Sequence, residues 1–265
     1  MSEDRYLLGN EAPEAMDRFT AFASLFDPST FRHLDDLGLA PGRRVWEVGA
    51  GGTTVVDHLA ARVGSTGSVV ATDIDISWAA AADAPNVRVL RHDVAADPPP
   101  GEDFDLVHAR LVLVHVPERD AALATMVAAL RPGGALLVED ADPALQPLSC
   151  IEETGPEEAL ANRLRRGFRT LLVERGVDLA YGRSLPRRLR AAGLVGVAAD
   201  AAFPVTDPAS NALELATMAL IRDQLLDHGI ATAAEIDAHM EAVAAGRLDL
   251  AQPPMVACWG RTPAA

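Results

Sequence analysis

The 265-residue chain contains no lysine: all 23 of its positive side chains are arginine, set against 38 acidic ones for a formal net charge of −15. A Schiff-base aldolase, a pyridoxal-phosphate enzyme, a P-loop NTPase and a protein kinase each use a lysine amine as nucleophile or phosphate clamp, so none of them can be built here. Cysteine is nearly as scarce. Cys150 and Cys258 stand far apart and make no disulfide framework, which points to a reducing cytoplasm. Apolar runs of the roughly 18 residues needed to span a bilayer are missing. The acidic opening MSEDRYLLGNEAPEAMDRF lacks the basic-then-apolar order of a secretory signal. The negative balance argues against nucleic acid and an anionic membrane surface as partners. What is present is an apolar fraction of 49%, enough for a globular core in one large domain or a domain with a substantial insertion.

Apolar spacing predicts two short leading helices, 14–26 and 29–37, started by Pro13 and Pro28. A strand over 44–48 then runs into a glycine-rich turn and a helix over 54–63. Strands follow at 68–72, 87–91 and 104–109, then a helix over about 118–130 and a fifth strand over 135–138. Strands of continuous apolar character alternating with helices predict an α/β fold, with a doubly wound, mostly parallel sheet covered on both faces. Beyond residue 142 the pattern changes to helices over 156–175, 185–192, 209–228 and 232–245, with strands over 194–201 and 254–259. The expected organisation is an N-terminal helical segment over 1–40, a ligand-binding core over 41–142, and remaining core strands over 143–265. Helical insertions at about 143–176 and 207–250 are expected to cap the carboxyl edge of the sheet, where ligands of open α/β sheets bind.

The turn reads Glu47-Val48-Gly49-Ala50-Gly51-Gly52-Thr53-Thr54. Glycine between strand and helix lets the backbone approach a ligand, although a tight corner capped by Thr53 or Thr54 would need no ligand at all. A dinucleotide fingerprint wants a glycine at the sixth position, where Thr54 stands. Glu47 just before the first glycine suits a cationic ligand better than a pyrophosphate. Asp73 follows Gly51 by 22 residues at the end of the second strand, where a carboxylate can accept from both ribose hydroxyls. Asp93 ends the third strand, placed for an adenine amino group, with the Val94 amide beside it for a ring nitrogen. Three successive strand ends thus suit an adenosyl cation.

With these pieces in order, the sequence resembles the class I S-adenosylmethionine-dependent methyltransferases of the bacterial small-molecule type. The matching segments are VWEVGAGG, VVATDID, NVRVLRHDV, FDLVHARLVLVHVPERD and LRPGGALLVED, over about residues 40–142. The resemblance implies a Rossmann-like seven-stranded sheet and S-adenosylmethionine as cofactor. It places the methionine and ribose parts on Gly49, Ala50 and Gly51, the ribose on Asp73 with Ile74 beside it, and adenine on Asp93 and Val94. The Ala109 carbonyl would meet the methionine amino group, and the N-terminal helices would close over the site. One departure stands out: the family's third glycine is Thr53 here. The implied activity is in-line methyl transfer, without metal, to an oxygen, nitrogen or carbon of a small molecule such as a secondary metabolite. Two alternatives stay open. A nicotinamide-dependent Rossmann oxidoreductase is disfavoured by Thr54 and by Tyr181-Gly182-Arg183-Ser184, which lacks a reductase lysine. The other is a methyltransferase-shaped cyclase or binding protein that transfers no methyl.

Residues able to do chemistry are fewer. His115, just past the fourth strand, is the preferred general base, with His108 inside that strand read as structural. Glu139, Asp140 and Asp142 are expected on a loop after the fifth strand, solvated or orienting an acceptor. The fourth strand ends in Ala109-Arg110 and no asparagine follows Asp140, which disfavours magnesium. Arg163, Arg165, Arg166 and Arg169 form either a fork for an anionic acceptor or a solvated face paired with Glu157 and Glu158. Tyr6, Phe19 and Phe22 could close over the cofactor, and core packing explains the two phenylalanines as well.

Overall fold

Val45, Trp46 and Val48 make β1 (Arg44–Val48), buried on both faces, and the sheet lays the apolar Val69, Val70, Leu106 and Val107 beside it. This computed structural model describes residues 14–264, so Tyr6 lies outside the described residues. Around β1 stand β2 (Ser68–Asp73), β3 (Val87–Arg91), β4 (Phe104–Arg110), β5 (Leu130–Ala141), β6 (Val195–Ala202) and β7 (Met255–Arg261). Their order is β3-β2-β1-β4-β5-β7-β6, and only β7 runs antiparallel to its neighbours. The doubly wound, mostly parallel seven-stranded sheet expected from the sequence is therefore present. The chain order switches direction between β1 and β4, the position at which open α/β sheets leave a crevice beyond their strand ends.

The helices are α1 (Glu14–Asp36), α2 (Thr54–Val63), α3 (Arg119–Ala128), α4 (Pro156–Glu174), α5 (Tyr181–Ala191), α6 (Pro208–Asp227) and α7 (Ala233–Ala244). One helix and one strand differ from expectation. The two leading helices are one: α1 runs through Pro28, giving up one backbone hydrogen bond, because the residues that follow, Thr30, His33 and Leu34, continue a buried stripe. The fifth strand is also longer at both ends. It begins at Leu130, before the Arg131-Pro132-Gly133-Gly134 turn signal, and it runs on through Glu139 and Asp140.

The described residues fall into two compact units. One holds the sheet with α2, α3, α5 and the α1 residues from 27 onward. Its core on one side comprises Leu34, Leu39, Val45, Val56, Leu59 and Val63, with Leu106 and Leu137 from the sheet. The other joins residues 14–26 with 142–180 and 203–254. There α4, α6 and α7 pack Leu164, Leu171, Met218, Ile221, Leu225 and Ile236 together. Asp207 caps α6 by accepting from the Ala209 amide, and Thr232 with Glu235 forms a capping box on α7.

The arginines of α4 do not form the solvated face expected from the sequence: among the described residues Arg163 and Arg165 pair with Glu235 and Glu214, not with Glu157 or Glu158. Arg163 bonds Glu235 and the Ile230 carbonyl, Arg165 is buried against Ser149 and Glu214, and Arg169 bonds the Pro147 carbonyl. Glu214 also meets His239 at 2.9 Å. Burial alone would raise the Glu214 pKa, but Arg165 and His239 hold it below the usual carboxylate value. The guanidinium forks are thus spent inside the helical unit, with Arg166 left exposed. Both cysteines are free and buried, which pushes each thiol up to about 12 and leaves it inert. Among the described residues no helix is long and apolar enough to cross a membrane.

Candidate active site

The turn from β1 into α2 is built on two left-handed glycines, Gly49 at φ 65° and Gly51 at φ 56°. An added Cβ at Gly49 would lie 2.3 Å from Cγ2 of Val112, so the segment after β4 packs directly on the loop. Thr53, where a third glycine was expected, sits at φ −98° in the right-handed region, and a side chain costs nothing there. It occupies the N-cap position without a side-chain bond, so the turn is not explained as a simple threonine-capped corner.

Two bonds tie the loop to β2. The Ala50 amide donates to the Thr72 carbonyl at 3.0 Å, and the Gly51 amide donates to Oδ2 of Asp73 at 2.9 Å. The other oxygen of Asp73 accepts from the Asp75 amide at 3.0 Å. Burial raises the Asp73 pKa, opposed by these amides. A carboxylate offers about four lone-pair sites, so both oxygens keep capacity for a vicinal diol. At the next strand end Asp93 folds its own turn, its Oδ1 accepting from the Ala95 amide and its carbonyl from Ala96 and Asp97. Val94 is buried beneath that turn, whereas Ile74 is 41% exposed. Ala109 is buried near the end of β4, in register with Val48 and Val138. The structure therefore brings Gly51 onto Asp73 and Ala50 onto the neighbouring Thr72, and sets Asp93 just past the end of the adjacent strand.

His115 lies in a turn after β4, its amide donating to the Val112 carbonyl at 3.0 Å, and is half-buried. Leu111, which opens that segment, is held at φ 56°. Phe19 lies under the Arg18 guanidinium, and Phe22 packs on Phe26 at 4.6 Å between centroids.

Glu47 is the residue whose surroundings differ most from expectation. Its Oε2 is 2.6 Å from Nδ1 of His108, so the positive charge it meets is supplied by the protein itself. The other nitrogen of His108 is 3.2 Å from Oε2 of Glu139. Thr30 donates to that same oxygen at 2.5 Å, and Arg110 bridges Thr30 and Asp27. Oε1 of Glu139 contacts His33, whose other nitrogen is 2.9 Å from Asp200. Glu139, Asp140 and Asp142 are therefore not solvated loop acids. All three are buried, the first two inside β5. Asp140 projects to the opposite face from Glu139, where burial holds its carboxyl well above the usual range.

The His108 cluster was missed as a unit in the sequence, where only a weak sign exists. Glu47, His108 and Glu139 are ionisable residues that each directly follow two or more apolar residues in three adjacent strands: VW before Glu47, LV before His108 and ALLV before Glu139. Burial alone would lower the His108 pKa, but the two carboxylates outweigh it and raise the value to about 9. The shift from 6.5 corresponds to roughly 3 kcal/mol of stabilisation, at about 1.4 kcal/mol per tenfold change in proton affinity. Because the folded value is the higher one, this contribution is complete below pH 6.5 and is lost as pH rises through about 9. Thermal melts between pH 7 and 10 should therefore show the midpoint falling by several degrees. A midpoint that stays level to pH 10 would exclude a charged His108.

Residues 10–199 match the family described as methyltransferase domain. The chain is similar to the ubiquinone/menaquinone biosynthesis C-methyltransferase of Vibrio parahaemolyticus, at 32% identity over 127 residues. That alignment covers 44% of this chain, and the chain spans about half the length of the curated relatives it matches. In fold it is similar to phosphoethanolamine N-methyltransferase 2 of Haemonchus contortus, solved with phosphomonomethylethanolamine and S-adenosylhomocysteine, with TM-score 0.59 and 15% identity. That match covers 99% of this chain and 61% of the other. A putative methyltransferase from an antibiotic biosynthesis pathway of Anabaena variabilis matches with TM-score 0.60 and 14% identity, over 89% of this chain and 98% of its own.

Proposed function

The chain belongs to the methyltransferase-domain family, as a class I S-adenosylmethionine-dependent enzyme, and on that premise we propose that it methylates an oxygen, nitrogen or carbon of a small molecule, a secondary metabolite. The observation that carries the reading is the Gly51 to Asp73 bond, which fixes the glycine turn against the carboxylate that would take the ribose. The cofactor supplies an electrophilic sulfonium methyl when bound.

The remaining work falls to the chain. Gly49, Ala50 and Gly51 let backbone approach the methionine end. Asp73 would hold the ribose hydroxyls with Ile74 as an exposed apolar neighbour. Asp93 and Val94 would meet adenine, and the Ala109 carbonyl the methionine ammonium. Holding acceptor and methyl collinear and about 3 Å apart is the main source of rate, on the order of 7–11 kcal/mol in favourable cases. His115 is proposed as the base for acceptors that must lose a proton. The acceptor is proposed to be largely uncharged, because Arg163, Arg165 and Arg169 already have partners of their own. The Vibrio relative, named as a C-methyltransferase of quinone biosynthesis, supports including carbon among the acceptor atoms.

Titration calorimetry with S-adenosylhomocysteine, followed by a turnover screen with phenol and amine acceptors, tests this. Expected are micromolar-range binding and acceptor-dependent release of S-adenosylhomocysteine, with His115→Ala losing turnover of ionisable acceptors but keeping cofactor affinity. Absence of binding would overturn the reading. Binding without release on any acceptor would favour the cyclase or binding-protein alternative.

A further inference from the structure

Glu47 ends two residues before the first glycine of the turn, yet nothing in the strand that carries it fixes its side chain. What fixes it comes from elsewhere in the sheet. His108 stands opposite Glu47 in the β1–β4 register, and its two ring nitrogens are divided between Glu47 at 2.6 Å and Glu139 at 3.2 Å. Glu139 in turn stands opposite Arg110, and Thr30 of α1 donates to the oxygen that faces His108. Each member is buried to within a few percent of completely. A carboxylate, an imidazole and a second carboxylate in one row have no solvent to rearrange into, so the orientation of each is set by the next.

We propose that His108 is a positioning residue of the cofactor site: by bridging Glu47 to Glu139 it holds the Glu47 carboxylate in one orientation at the base of the glycine turn. This inference rests on the methyltransferase reading above. His108 touches neither cofactor nor acceptor and acts through Glu47. Its own surroundings are set by Glu47 on β1, Glu139 on β5 and Arg110 on β4, with His33 and Asp27 from α1 and Asp200 from β6 at one remove. Of these, Glu139 and Glu47 are the two in direct contact. The bridge needs His108 to donate from both nitrogens, which only the imidazolium can do.

That requirement yields a test which a purely structural role would not pass. Removing the charge of Glu139 leaves the glycine turn and Asp73 untouched but makes His108 easier to deprotonate. Deprotonation then weakens the hold on Glu47 at lower pH, because the neutral imidazole keeps a single N–H and no charge. S-adenosylhomocysteine affinity is measured by calorimetry from pH 6.5 to 10.5 on the full chain, for wild type, Glu139→Gln and Thr30→Val. Melting curves on the same samples report the fold. The ligand's own ammonium titrates identically in all three series, so only differences between them count. The alkaline loss of affinity should move to lower pH by about one unit or more in Glu139→Gln, the usual effect of deleting one adjacent opposite charge. Thr30→Val should move it the other way and by less, because Oε2 of Glu139, relieved of the hydroxyl's hydrogen bond, attracts the His108 proton more strongly. Should Glu139→Gln not fold, Thr30→Val carries the test. Affinity curves that superimpose in pH, whatever the melting temperatures do, would overturn the proposal. A wild type that binds no S-adenosylhomocysteine at any pH would overturn the methyltransferase reading on which it rests, and this inference with it.

Discussion

Replacing Gly49 by alanine is expected to weaken S-adenosylhomocysteine binding by about 100-fold or more, equivalent to at least about 2.7 kcal/mol. Two effects combine. At φ 65° an L side chain costs about 1–2 kcal/mol. The new methyl group would also lie 2.3 Å from Cγ2 of Val112, whose branched side chain has no long arm to swing aside. Either the turn must rotate, breaking the Gly51 to Asp73 bond, or the segment between β4 and α3 must move out. Both spoil the same site. The double variant Gly49→Ala with Val112→Ala separates the causes: relief of the clash should recover part of the affinity, while the backbone strain remains. If the single variant binds as well as wild type, the turn is not the cofactor loop. Overpacking of this kind should also lower global stability by about 1–3 kcal/mol, visible as a lower denaturant midpoint.

Asp73→Ala should have an effect of similar size for a different reason. Hydrogen bonds to a charged acceptor are each worth about 1.5–3 kcal/mol, so losing a ribose diol costs about two to four orders of magnitude in affinity. The structure adds a sharper expectation for Asp73→Asn. Both oxygens of Asp73 already accept backbone amides, from Gly51 and Asp75, so whichever side the asparagine NH2 takes, it faces a donor. The asparagine variant should therefore bind little better than the alanine one. Recovery of most affinity in Asp73→Asn would mean that the carboxylate serves the ligand without anchoring the loop. Because burial raises the pKa of Asp73, wild-type affinity should also begin to fall on the acid side above the ordinary carboxylate range, as the acceptor is protonated.

How much of this was legible in the chain follows from how local each signal is. The strand ends at Val48, Asp73 and Arg91 could be read closely because an apolar run gives way to glycine or aspartate within one or two residues. The glycine turn could be recognised because its backbone conformation is required by its own sequence. Even Thr53, which breaks the family pattern, is answered by a local quantity, its negative φ. The misread elements all have non-local causes. Pro28 looks like a helix start until the buried stripe of Thr30, His33 and Leu34 carries α1 through it. The arginines of α4 look solvent-facing until Glu214, His239 and Glu235 are brought to them by α6 and α7. Glu139 and Asp140 look like loop acids until β7 pairs along the whole end of β5, with Asp140 opposite Val256 and Glu139 opposite Ala257.

By itself the sequence determined the mostly parallel sheet and the glycine and aspartate residues at its strand ends, because each is written in residues close together in the chain, and its composition alone excludes lysine chemistry. Only the tertiary structure decided what the acids within that sheet do. Glu47 and His108 are 61 residues apart and His108 and Glu139 are 31 apart, and their meeting depends on strand register and on which strand lies beside which. Composition is blind to both. A charge of −15 says nothing about which carboxylates face water and which face a buried imidazole, and here that difference separates exposed acids from Glu47 and Glu139 within the sheet.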